Sequence, residues 1–91
     1  MGLYTKNGRP LQVSNDVVYS ESGKVVGRIK NDKVFGTDGH YVGTIVNERL
    51  VYRSTHSASI SSPFSAADRT GIARANRAGS GVWGDEPSIP D

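Results

Sequence analysis

The sequence predicts an all-β fold, an antiparallel meander of three to four repeated β-hairpins with pseudo-symmetry. A similar unit begins at Leu3, Val18, Val34 and, in truncated form, at Leu50, so the units are 15 or 16 residues long. That length fits one β-hairpin with its connections and is too short for a helical repeat. Two kinds of turn-forming pair alternate along these units, and the segments between them are rich in Val, Ile, Tyr and Thr, as in strands.

The first kind of turn contains glycine, in the pairs Asn7-Gly8, Ser22-Gly23 and Asp38-Gly39. Such pairs are typical of a two-residue type I′ hairpin loop, in which both central residues need positive φ. With that loop length, each hairpin gains one aromatic–aliphatic cross-strand pair. The predicted pairs are Tyr4 with Leu11, Tyr19 with Val26, and Phe35 with Val42.

The second kind of turn closes each unit, in the pairs Asn15-Asp16, Asn31-Asp32 and Asn47-Glu48. Asn and Asp tolerate the left-handed region, so a tight turn is expected here too. Two-residue loops at these positions place apolar residues of adjacent strands opposite each other. The predicted pairs are Val13 with Val18, Ile29 with Val34, and Ile45 with Leu50.

The spacing of these pairs predicts a strand irregularity in the second and third units. Val26 and Ile29 are three residues apart, as are Val42 and Ile45, so simple alternation would point them to opposite faces of the sheet. A β-bulge beside Gly27 and another beside Gly43 would restore the phase. The alternative is a sheet that is apolar on both faces, as in a sandwich or an oligomer interface. We favour the bulges.

The second half of the chain differs in composition, which predicts a hairpin-repeat domain at residues 1–55 and a Ser/Ala/Gly-rich tail at residues 56–91. Ser62 is a suitable N-cap, Pro63 suits a first helical position, and Gly79 suits a C-terminal stop. These signals predict a short helix over residues 63–78. Its apolar content is low, so a disordered segment is the alternative.

Composition argues against several functional classes. The chain has 91 residues and no cysteine, so its core is small and disulfides and thiolate metal sites are excluded. Its two histidines, His40 and His56, do not have the spacing of a metal site. We therefore expect a protein without catalytic activity and without a cofactor. With no apolar stretch of membrane-spanning length, we expect no membrane association and a cytoplasmic location.

A candidate binding segment lies at the C-terminal end, where Trp83 is followed by Asp85, Glu86 and Pro87. A single tryptophan in an acidic, proline-containing stretch can dock into the groove of a protein partner as a linear motif. Alternatively, Trp83 packs back onto its own domain or onto a symmetry-related copy, because a large aromatic ring has much apolar area to bury.

Cations suggest a second function, weak binding of nucleic acid. The formal net charge is +2, and Arg28, Lys30 and Lys33 lie close together in the sequence. Further cations in the tail are Arg69, Arg74 and Arg77. Aromatic residues interleaved with cations are typical of single-strand binding surfaces. However, the aromatics of the repeat occupy equivalent positions paired with aliphatic residues, as core residues do. This makes nucleic acid the less favoured partner.

The repeat resembles that of a known family. The pattern Tyr/Phe-x-x-x-Gly-basic-x-Val-Gly-x-Ile occurs at residues 19–29 and 35–45 and is similar to that of the bacterial 4-fold beta flower domain. The resemblance covers roughly residues 3–54, and residues 81–87 are similar to the tails of some bacterial relatives. It implies a compact arrangement of β-hairpins around a pseudo-symmetric centre. It implies no established activity and no known site residues.

Taken together, these features predict a small bacterial interaction or assembly module that forms a homo-oligomer. A small core is often stabilised by oligomerisation. The fourth unit, which begins at Leu50, supplies one strand without its hairpin partner. Either the N-terminal segment or a second subunit pairs with it, because an unpaired strand edge promotes association.

Overall fold

The computed structural model describes residues 3–89, whose centre is a closed sheet of seven short strands. The strands are β1 (Leu3–Thr5), β2 (Pro10–Ser14), β3 (Val17–Tyr19), β4 (Val25–Lys30), β5 (Lys33–Phe35), β6 (Tyr41–Val46) and β7 (Arg49–Val51). One 3-10 turn, η1 (Ser54–His56), follows them. The predicted all-β class is confirmed. Nothing in this part of the chain forms an apolar helix of the length that a bilayer crossing requires.

The sheet closes because its first and last strands pair. Each strand is antiparallel to the next one in the sequence, whereas β1 and β7 are parallel. Tyr4 N donates to Glu48 O at 3.0 Å, and Lys6 N donates to Leu50 O at 3.0 Å. The N-terminal segment therefore supplies the strand partner that the truncated fourth unit lacks, and the edge expected there is absent.

The core lies at the centre of this closed sheet. Leu3, Val18, Val34 and Leu50, the first residues of the four units, are each 0% exposed. Leu11 and Val26 complete the same cluster. Fully burying one such side chain stabilises the fold by about 1.5–3 kcal/mol. The repeat therefore places one buried aliphatic residue per unit at a shared centre.

The glycine-containing turns have three-residue loops, so the predicted two-residue loops are wrong. In the second unit, Ser20 N donates to Lys24 O at 2.8 Å and Gly23 N donates to Ser20 O at 3.0 Å. The glycines of these loops have positive φ: +95° at Gly8, +98° at Gly23 and +84° at Gly39. One left-handed residue after a type I turn gives a three-residue loop with a bulge. The aromatic residues therefore pair one position earlier, Tyr4 with Pro10, Tyr19 with Val25, and Phe35 with Tyr41.

The Asn-acid turns have the predicted two-residue loops. Val13 lies opposite Val18, Ile29 opposite Val34, and Ile45 opposite Leu50, which confirms these three pairs. Both loop residues have positive φ in the first and third turns, with 51° at Asn15, 66° at Asp16, 50° at Asn47 and 65° at Glu48. These are the angles of a type I′ turn, whose twist matches that of the flanking strands.

The predicted bulges beside Gly27 and Gly43 are confirmed. Val18 lies opposite Gly27 and Tyr19 opposite Val25, so Val26 is the extra residue on β4. The same register shift leaves Val42 as the extra residue between Gly43 and Tyr41 on β6. A Cβ on Gly27 would overlap the carbonyl oxygen of Phe35, so this position requires a residue without a side chain.

The helix predicted over residues 63–78 is wrong, since that segment contains neither helix nor strand. Instead, residues 61–85, here called the belt, pass along the three glycine loops. Its amides donate to loop carbonyls in pairs: Ser61 to Gly39 and Phe64 to Thr37, then Arg69 to Gly23 and Ile72 to Glu21, then Arg77 to Gly8 and Ser80 to Lys6, at 2.7–3.1 Å. The division of the chain at residue 55 stays a prediction.

The belt contacts successive loops at intervals of eight residues. Ser61, Arg69 and Arg77 each donate to the carbonyl of a loop glycine, and Asp85 bonds to the fourth unit. A Cβ on Gly8, Gly23 or Gly39 would overlap the carbonyl oxygen of the belt residue beside it. The loop glycines thus serve two purposes, because they adopt positive φ and admit the belt backbone.

We predict that Gly23→Ala destabilises the protein by about 1–3 kcal/mol, since an alanine there is strained at positive φ and displaces the belt. The measurement is the free energy of unfolding in urea. Gly81→Ala is the matched control, because nothing lies within 4 Å of a Cβ at Gly81. Equal stability of the two variants would show that the belt does not require a glycine at position 23.

A second prediction concerns the turn at Asn47 and Glu48. Glu48 has φ of 65°, which costs an ordinary L-residue roughly 1–2 kcal/mol. We expect Glu48→Gly to raise the free energy of unfolding by about 1 kcal/mol. Asn47→Gly, measured in the same way, should give a smaller gain, because Asn tolerates this region. A loss of stability in Glu48→Gly would contradict the strain at this turn.

Candidate functional site

The belt ends on the fourth unit, where a backbone bridge holds it. Tyr52 N donates to Asp85 O and Asp85 N donates to Tyr52 O, each at 2.8 Å. Gly84, with φ of +126°, bends the chain immediately before this bridge. The residues on either side of Asp85 are therefore held at defined places on the barrel surface.

Trp83 projects from this point into solvent. Its side chain is 57% exposed, and the Arg53 guanidinium lies 4.2 Å from the centre of its ring. Arg53 Nε also donates to Trp83 O at 3.4 Å. One face of the indole is thus covered by a cation, and the ring orientation is supported by a second contact of the same arginine.

Glu86 is attached to the first unit. Thr5 Oγ1 donates to the Glu86 carboxylate at 2.8 Å and Asn7 N donates to it at 2.9 Å, while Arg9 Nη1 lies 3.8 Å away. Of the four candidate residues in this segment, Asp85 and Glu86 bond to the chain's own barrel, Pro87 is buried, and Trp83 extends from the barrel.

A groove lies between the third loop and the segment that follows the 3-10 turn. It has a volume of about 250 Å³, and its lining comprises His40, Tyr41, Ser57, Ala58, Ser59 and Ile60. Ile60 is 73% exposed and is held at this position by a backbone bridge to His40. With Trp83, it is one of the two large hydrophobic side chains exposed in residues 3–89.

Hydrogen bonds connect the groove to the backbone beneath Trp83. Arg53 N donates to Tyr41 Oη at 3.1 Å, and this hydroxyl lies 2.7 Å from Thr44 Oγ1. Thr44 Oγ1 lies in turn 2.8 Å from His56 Nδ1. The Tyr41 and Tyr52 rings are 5.5 Å apart. These contacts make Trp83, Arg53, Tyr41 and Ile60 parts of one region, here called the fourth-unit surface.

The cations proposed for nucleic-acid binding do not form one patch. Arg28 stacks on Phe64 at 4.8 Å, at the third loop. Lys30 and Lys33 face each other across the turn at residues 31–32, where Lys33 pairs with Asp32 at 3.4 Å. The tail arginines lie beside the first and second loops instead. Chain folding thus separates the two groups that the sequence suggested together.

The described residues offer no cluster of three or more His, Cys, Asp or Glu side chains that could hold a metal ion. His40 Nδ1 lies 3.8 Å from Asp38 Oδ2, and both side chains are largely exposed. His56 contacts Thr44 and the Tyr41 ring. The contacts of these histidines support the local packing of the fourth-unit surface.

Comparison with known families supports the resemblance seen in the repeat. The sequence model of the 4-fold beta flower protein family matches residues 1–84. The chain belongs to this family. The match of the β-flower family extends past the barrel and includes most of the belt, well beyond the repeat itself. No curated protein and no solved structure matches the chain.

Sequence reasoning missed the belt and the residues that support Trp83. The signal for the belt is its eight-residue spacing, which is visible at Ser61, Arg69, Arg77 and Asp85 once the contacts are known. It is weak in the sequence because the contacts are made by backbone amides and not by a shared side chain. The Tyr41–Thr44–His56 network gives no signal in the repeat, since Tyr41 and Thr44 occur in the third unit only and His56 follows the fourth.

We predict that Glu86→Ala lowers the free energy of unfolding by about 1.5–3 kcal/mol, because it removes charge-assisted hydrogen bonds from Thr5 and Asn7. Asp85→Ala is a matched control, since Asp85 is held through its backbone. Urea unfolding measures both variants. If they are equally stable, the Glu86 carboxylate does not anchor the belt.

Proposed function

We propose that this β-flower protein is a non-enzymatic interaction module that self-associates through the fourth-unit surface. The observation that supports the proposal is the exposed Trp83 side chain, stacked on Arg53, whose backbone amide bonds to Tyr41 of the groove that includes Ile60. Tryptophan, tyrosine and arginine are the residues most enriched where protein interfaces gain their affinity. A large aromatic ring in solvent gains free energy when a partner covers it.

A second copy of the chain is the partner that this surface fits. It carries both a projecting ring and a groove, connected through Tyr41 and Arg53. A two-fold axis brings such a surface against its own copy, so that each Trp83 enters the groove of the other subunit. One contact is then made twice, and no surface outside this region is needed.

The predicted complex is weak and reversible. A tryptophan buries roughly 150–250 Å² at most, and two such contacts amount to less than the roughly 1,200–2,000 Å² of a standard stable interface. We therefore expect monomers and dimers in exchange. Because the strand edge is closed by β1, the association must rely on side chains.

Two measurements test the proposal on the full chain. Sedimentation equilibrium over increasing protein concentration should show a monomer–dimer equilibrium. The emission of Trp83, the only tryptophan, should shift to the blue over the same range as the indole leaves water. A monomer at all concentrations would refute self-association.

Variants then test which residues form the dimer interface. We expect Trp83→Ala and Ile60→Ser each to weaken dimerisation at least tenfold, while an equimolar mixture of the two recovers part of it, because one intact ring meets one intact groove. Ile72→Ala, an apolar truncation on the belt beside the second loop, is the control. If that control weakens association as much as Trp83→Ala, the interface lies elsewhere.

A further inference from the structure

A second surface, independent of the first, carries three exposed arginines on the belt. Each stacks on a tyrosine of the barrel. The Arg69 guanidinium lies 5.2 Å from the ring centre of Tyr19, and those of Arg77 and Arg74 lie 4.3 and 5.8 Å from that of Tyr4. We call Arg69, Arg74 and Arg77 the arginine arc.

The positive charge of this arc is not neutralised by the described part of the chain. No carboxylate of residues 3–89 lies within 4 Å of the three guanidiniums. The nearby acids accept from backbone amides instead: Glu21 from Arg74 N at 3.4 Å, and Asp68 from Val25 N at 3.1 Å. Residues 69–82 contain no acidic residue. The arc therefore presents three guanidiniums that form no ion pair with a carboxylate of residues 3–89, although Glu21 and Asp68 lie beside its backbone.

Two of these charges are held close together. Since Arg74 and Arg77 share the Tyr4 ring, they lie at most about 10 Å apart, which is about one Debye length at 0.1 M salt. Like charges at this separation repel, and an anion bound between them removes the repulsion. The stacking thus maintains an arrangement that an anionic ligand stabilises.

The arc is also held in place before any ligand binds. Arg69 N and Arg77 N donate to the carbonyls of Gly23 and Gly8, which fixes the backbone at both ends. Stacking on a ring limits the motion of each guanidinium plane, while all three arginines remain exposed to solvent. Planar guanidiniums match the geometry of phosphate oxygens better than ammonium groups do.

We infer that the arginine arc binds single-stranded nucleic acid through its phosphates, without sequence preference. The molecule is a disc of 32 × 30 × 19 Å, and the belt passes around the loops of this small body. A single strand can follow so short a curve freely, whereas a duplex, with a persistence length of about 50 nm, must be bent at a cost in free energy. Unpaired bases can stack on the outer guanidinium faces.

A lipid surface fits the arc less well. Insertion into a bilayer needs large apolar side chains beside the cations. Those exposed in residues 3–89, Ile60 and Trp83, belong to the fourth-unit surface. The cation group of Arg28, Lys30 and Lys33 is a weaker competitor for the nucleic acid, because Arg28 stacks on Phe64 and Lys33 pairs with Asp32.

Binding is measured by fluorescence anisotropy with a labelled oligothymidylate of about 20 nucleotides, titrated with the full-length protein at about 20 to 200 mM salt, where counterion release changes affinity steeply. Three phosphate contacts predict that log K falls against log salt with a slope of about −2, at roughly 0.7 per contact for single strands. The variant R69Q/R74Q/R77Q should bind at least tenfold more weakly. A lack of binding at the lowest salt would refute the proposal.

The control triple R28Q/K30Q/K33Q removes the same charge from other sites, and it should retain most of the affinity. If both triples lose affinity equally, binding depends on net charge alone and the arc is not a site. The triple Arg→Lys variant keeps the charge but lacks the planar group, so we expect an intermediate affinity. Wild-type affinity in that variant would contradict the role of stacked guanidiniums.

Two further results distinguish a nucleic-acid site from a loss of stability and from a lipid-binding surface. R74Q alone removes the contact with the Tyr4 ring and the 3.4 Å contact with Leu11 O, and it should reduce affinity while lowering the thermal unfolding midpoint by only a few degrees. Vesicles of phosphatidylcholine with one quarter phosphatidylserine (roughly physiological surface charge) should not displace the oligonucleotide. Displacement would make the arc a lipid-binding surface and overturn the assignment to nucleic acid.

Discussion

Closure of the sheet is the constraint on which the rest of the structure depends. The pairing of β1 with β7 brings Leu3 and Leu50 to the same centre as Val18 and Val34, where all four are removed from water. A domain of this size buries a small fraction of its surface, so it cannot leave one of these four central residues exposed to water. Because closure also satisfies the backbone of both terminal strands, it removes the edge that would otherwise recruit a second chain.

The belt depends on the loops that this arrangement presents. Each three-residue loop leaves two carbonyl oxygens that strand pairing does not use, and the belt amides donate to them. Backbone approaches backbone closely because the loop glycine has no side chain. Stacking of belt arginines on Tyr4 and Tyr19 then covers aromatic rings that a small barrel cannot bury fully. One short segment thus completes the hydrogen bonding and the packing of three units.

The two proposed surfaces lie at different parts of the belt and differ in chemistry. At the fourth unit the belt ends in a bridge, and an apolar ring extends beyond the barrel. At the first two units the belt carries cations that have no acidic partner among residues 3–89. Since the residues do not overlap, a dimer formed through Trp83 would present two arginine arcs to the same polymer, which raises avidity without new contacts.

Local chemistry in the sequence determined the all-β class, the tight two-residue turns at Asn15 and Asn47, and the bulges beside Gly27 and Gly43. These features depend on neighbours within one hairpin, so period and turn residues suffice to predict them. Only the tertiary structure decided the closure by β1, the path of the belt, and the meeting of Arg53 with Trp83 and of Arg77 with Tyr4. Those contacts join residues more than 20 positions apart through backbone groups and aromatic rings, for which neither periodicity nor turn propensity carries a signal.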